Sequence, residues 1–105
     1  MIAPQPVPFA SAEEAWLWTC RALKRRRGDD VPQASGPARP CGPEDVLRVV
    51  DTLYRRRRID AGHAQVMRYW AERGSAPPSD TGNGRLWQQA MDRLTPHLRD
   101  RGIIA

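Results

Sequence analysis

The chain has 105 residues, of which 40% are hydrophobic and 28% charged, with four Trp. That balance fits one globular domain and excludes a disordered chain, while no apolar run approaches the roughly 18 residues of a membrane span. The net charge of +5, carried by 16 Arg and a single Lys, favours anionic partners.

Residues 1–10 place Pro4, Pro6 and Pro8 among small or apolar residues, which predicts an extended arm. The start MIAPQPVPF lacks the basic-then-apolar pattern of a secretory signal, and two Cys are too few for a disulfide scaffold, so a cytoplasmic protein is expected. Ser11-Ala12-Glu13-Glu14 is a capping box that opens a first helix over 11–27, ended by Gly28. Ala12, Trp16, Thr19, Cys20 and Leu23 share one face. Trp18 points nearly opposite, either packed under the arm against Phe9 or exposed to a protein partner.

Residues 28–42 (GDDVPQASGPARPCG) lack apolar periodicity and read as a loop or linker. The unit that follows, 43–105, is expected to be the helical core domain, with the first helix docked on it. Pro43 suits the first turn of a second helix, with Glu44 and Asp45 at its positive dipole end. Val46, Val49, Val50, Leu53 and Tyr54 form a broad apolar face. Four arginines follow. On the same wheel Arg57 falls mid-face, where its stem would lie along apolar surface or mark the fraying of the helix. Arg55, Arg56 and Arg58 are left for solvent or phosphate.

Asp60 is an N-cap candidate for a third helix reaching about Arg73 and stopped by Gly74, with Ile59 as a staple and Val66, Met67, Tyr69 and Trp70 as its apolar face. His63, in the first turn, reads as a core or capping group. Residues 74–84 are rich in turn formers. A fourth helix is expected from Asn83 or Arg85, with the stripe Leu86, Trp87, Ala90, Met91, Leu94 and Leu98. Pro96 falls opposite that stripe, either as a kink facing water or at the start of a new short helix capped by Thr95. Gly102 suits a left-handed closure that folds Ile103 back on Leu98. Apart from a short edge at the C-terminal GIIA, no stretch alternates like a strand. The expected fold is all-α, about four helices, with a three-helix, helix-turn-helix-like core over 43–104.

No phosphate-binding glycine loop, nucleophile elbow or metalloprotease motif occurs, and Cys20, Cys41, His63 and His97 do not have zinc-ligand spacing. No enzyme activity, metal or cofactor is expected. Asp29-Asp30 and Glu44-Asp45 are explained by turn chemistry and dipole matching.

The stretch Ile59 to Trp70, followed by Gly74 and Pro77, resembles the opening helix of helix-turn-helix regulators of the sigma-factor region 4 and phage late-regulator type. Leu86 to Leu94 is similar to their last helix. The likeness spans about 40 residues, with SAPPSDTGNG standing where that family has its short middle helix. It implies double-stranded DNA as partner and transcriptional regulation as function. The fourth helix then becomes the expected reader, its Arg85, Gln88, Gln89 and Arg93 facing base edges. Arg55, Arg56 and Arg58, with Lys24, Arg25, Arg26 and Arg27 as a second clamp, would hold phosphates. The competing reading is a non-enzymatic helical adaptor for an acidic protein, engaged through the same arginines and the Trp18 face. A membrane role is not expected, because no long aromatic-studded amphipathic helix accompanies the basic runs.

Overall fold

The computed structural model describes residues 5–28 and 36–105; Pro4, Asp29, Asp30 and the middle of the expected 28–42 loop lie outside the described residues. Four helices carry the fold: α1 (Ala12–Arg26), α2 (Pro43–Arg55), α3 (Ala61–Arg73) and α4 (Gly82–Asp100). The class is all-α, and among the described residues the one extended pairing is a parallel bridge between Phe9 and Ile104.

The helix ends follow local chemistry. The Ser11 hydroxyl accepts from the Glu14 amide, and the Glu14 carboxylate reaches back to the Ala10 amide, one residue beyond the expected partner. The Gly42 amide donates to Asp45 Oδ2, and Pro43 opens α2. At α3, Asp60 Oδ1 accepts from the His63 amide while His63 Nδ1 accepts from the Asp60 amide, a reciprocal cap in which both residues satisfy an orphan donor.

The start of α4 differs from expectation. Thr81 is the N-cap, its hydroxyl accepting from the Gly84 amide, so Gly82-Asn83-Gly84 forms the first helical turn instead of loop. Gly84 is required there, since a Cβ would sit 2.1 Å from the Pro78 carbonyl oxygen. Past Pro96 the helix continues unbroken to Asp100, with Pro96 exposed and the Thr95 hydroxyl bonded to the Met91 carbonyl, so no second short helix forms. At its end Gly102 is left-handed, the Ile103 amide returns to the Leu98 carbonyl, and Ile103 is buried, as its sequence implies.

One hydrophobic cluster runs through all four helices. In it α1 packs on α2, α3 and α4, and α4 packs on α2 and α3, whereas α2 and α3 scarcely touch. The first helix is thus a central member of the bundle. Trp16 Nε1 donates to the Met67 carbonyl on α3, and Trp87 Nε1 on α4 donates to Glu13 on α1. The arm closes the bundle: Phe9 is fully buried, its amide donates to the Ile103 carbonyl, and its carbonyl accepts from the Ala105 amide. Trp18 packs on Phe9 at 5.0 Å between ring centroids, and the Arg39 guanidinium lies 4.3 Å from the centroid of the Phe9 ring. The arm reading of Trp18 therefore holds, and this indole is not a free aromatic face.

Two expected core residues are corrected. Tyr54 and Tyr69 are about half exposed. The buried face of α2 is the narrower Val46, Val49 and Leu53, and that of α3 is Val66, Met67 and Ala71, because each helix meets only its partners on α1 and α4.

Candidate functional site

The four arginines after Tyr54 do not continue a helix. Arg55 is the last residue of α2 and Arg56 its cap. Arg57 has φ 59°, and among the described residues it is the one non-glycine residue in the left-handed region. Its amide donates to the Tyr54 carbonyl and the Arg58 amide to the Leu53 carbonyl, the paired bonds of a Schellman closure with arginine where glycine is usual. The helical wheel therefore stops applying before Arg57, which is exposed and does not lie along the apolar face. Ile59, fully buried, pins the turn to the core and sets Asp60 to cap α3.

This geometry divides the basic residues. Arg55 pairs with Asp51 one helical turn back. Arg56, Arg57 and Arg58 are exposed on three successive positions and make no ion pair among the described residues. The run at the end of α1 is different. Lys24 donates to the Glu72 carbonyl at 2.7 Å, capping the last turn of α3, and pairs with the Glu72 carboxylate at 3.3 Å. Arg26 pairs with Glu44 and Arg27 with Glu72. Arg25 is half-buried, its Nε without a hydrogen-bond partner among the described residues. Lys24, Arg26 and Arg27 thus act as interhelical ties from α1 to α2 and α3.

On α4, Arg85, Gln88, Gln89 and Arg93 are exposed along one face, as their spacing predicts. The two amides are already engaged. Gln88 Nε2 donates to Asp92 Oδ1, and Gln89 Oε1 meets His63 Nε2 at 2.9 Å. Because His63 Nδ1 accepts from the Asp60 amide, the ring proton is on Nε2 and is donated to Gln89. This bond ties the start of α3, and with it the arginine turn, to the middle of α4. Bidentate contact of either Gln with adenine would give up an internal bond worth about 1 kcal/mol. Arg85 and Arg93, about 12 Å apart along the helix, carry no such cost.

The electrostatics reinforce the caps. The His63 amide bonded to Asp60 holds that carboxyl below the ordinary aspartate range. Its own backbone amide, and then Arg26, lower Glu44. Burial pushes the Cys20 thiol up to about 12 and raises Cys41 as well. Among the described residues no three His, Cys, Asp or Glu side chains are grouped to hold a metal, and no helix is long and apolar enough to cross a membrane.

Sequence reasoning missed one feature. Since α2 and α3 diverge, an open groove lies between them. It is floored by Trp16, Cys20 and Leu23 of α1 and walled by Leu47, Val50 and Tyr54 on one side and Ala61 and Ala64 on the other. Its signal was the apolar breadth of α2, wider than one packing partner covers. No family model, curated protein or solved structure matches this chain.

Proposed function

We propose that this chain is a non-enzymatic DNA-binding module that grips duplex phosphates through the turn Arg56-Arg57-Arg58. The observation that carries the reading is the turn itself. Three successive guanidinium groups are presented to solvent without carboxylate partners among the described residues, and one occupies a backbone position where glycine would be less strained. Left-handed geometry at a non-glycine residue costs about 1 kcal/mol or more. Such strain is kept where the side chain itself is useful. Arginine at these positions offers bidentate donors to phosphate oxygens.

Arg93 and Arg85 on α4 are the groups best suited to extend this contact toward base edges, because Gln88 and Gln89 serve the fold. The resemblance to helix-turn-helix regulators supports a place in transcriptional control. The residues at 24–27 are left out of the interface, since the charges of Lys24, Arg26 and Arg27 bind Glu44 and Glu72 and Arg25 is half-buried.

Fluorescence anisotropy with a random-sequence duplex across a salt series tests the reading. Three or four phosphate contacts give a log–log salt slope of about −3 to −4. The combined variant Arg56→Ala, Arg57→Gly, Arg58→Ala should lose about three units of that slope. Absence of binding at about 50 mM salt, or an unchanged slope in the variant, would refute it.

A further inference from the structure

The groove between α2 and α3 is a second surface, separate from the arginine turn's outer side. We infer that it receives an acidic amphipathic helix of a partner protein. Two hollows, of about 320 and 690 Å³, share Val50, Ala64 and Arg68 and so form one continuous groove. A third hollow beside Tyr54 and Ile59 prolongs it toward Arg57. From Ala61 to Glu72 it follows twelve residues of α3, about 17 Å from first to last, the length of three helical turns.

The walls suit a helix's apolar stripe. Leu47 and Val50 are only partly buried against the core, Tyr54 is 48% exposed, and Ala61 and Ala64 leave room on the facing side. Small residues facing larger apolar ones let an incoming helix approach closely, and burial of its stripe at i, i+3, i+4 and i+7 supplies affinity.

Charge decides the class of helix. Lys24, Arg27, Arg55, Arg57 and Arg68 line the groove, against Asp51, Asp60 and Glu72. All three carboxylates are engaged: Asp51 by Arg55, Glu72 by Lys24, and Asp60 as the cap of α3. Arg68 at the centre and Arg57 at the end are exposed and form no ion pair among the described residues. A ligand with an apolar stripe flanked by Asp and Glu meets both features, while a basic helix is repelled.

The test is phage display of random peptides of about 16 residues on the intact chain, followed by binding measurements with the enriched peptides as synthetic probes. Enriched sequences should carry large apolar residues at helical spacing with acidic flanks. Ala64→Gln, which fills the groove without adding charge, should weaken them at least about tenfold. Arg68→Glu, at an exposed position that the fold does not need, should weaken them about three- to tenfold. Circular dichroism checks that both variants stay folded, and duplex affinity should be unchanged by Ala64→Gln, so this inference and the DNA reading fail separately. Enrichment without an acidic helical pattern, or peptides indifferent to both substitutions, overturns the inference. A concentration-dependent dimer abolished by Ala64→Gln would assign the groove to a second copy instead. Loss of duplex binding in that variant would assign it to nucleic acid.

Discussion

Replacing Arg57 by glycine should make the protein more stable and a weaker DNA binder at once. At φ 59° a residue with a Cβ pays about 1–2 kcal/mol that glycine avoids. Glycine gives back about 0.4–1 kcal/mol through its greater freedom in the unfolded chain. The net gain is about 0.5–1 kcal/mol, or roughly 2–8 °C in Tm for a domain of this size. No ion pair among the described residues is lost, since Arg57 makes none. The assay is urea denaturation and calorimetry of wild type, Arg57→Gly and Arg57→Ala. Alanine retains the strain and should melt near wild type, so the comparison isolates backbone from charge. Both variants should lose about one unit of DNA salt slope. A Tm for Arg57→Gly below that of wild type would refute the reasoning, because the arginine side chain would then be stabilising the turn.

Other outcomes follow from the same geometry. Gly84→Ala should destabilise by about 1–3 kcal/mol through the clash with the Pro78 carbonyl, although helix propensity alone favours alanine, whereas Gly82→Ala, with open space around it, should be neutral or mildly stabilising in the same denaturation assay. Phe9→Ala should cost about 3–5 kcal/mol and raise exchange of the amides at position 9 and Ala105, which donate across the arm to the Ile103 and residue-9 carbonyls. Cys20, with its thiol pushed up to about 12, should react with a disulfide reagent at pH near 8 far more slowly in the folded than in the unfolded chain, as followed by absorbance. Asp60 is depressed in the folded state, so the unfolded state binds its proton more readily. Its contribution is therefore complete above the unfolded value and lost as pH falls through the folded one, and Asp60→Asn should flatten the stability–pH curve in that acid window.

Much of the candidate site was legible along the chain because it depends on neighbours a few residues apart. Asp60 and His63 lie three positions apart and cap one another whatever else the fold does. Gly102 and the return of Ile103 to Leu98 are likewise local geometry. Arg57 was misplaced for a local reason too: a wheel presumes a continuing helix, and nothing in a run of four arginines announces a left-handed turn at the third.

By itself, the sequence determined the four helices, the caps at Ser11, Asp60 and Gly102, the all-α class and the excess of positive charge, since periodicity and end signals act within a few turns of backbone. Tertiary structure alone decided which arginines are free. Lys24 and Arg26 look identical in kind to Arg56 and Arg58, yet Glu72 and Glu44 reach them from other helices. It also decided that α1 is central and that α2 and α3 part to leave a groove. The physical reason is that partner choice between helices depends on which apolar faces meet, and several faces of similar breadth compete for the same few neighbours.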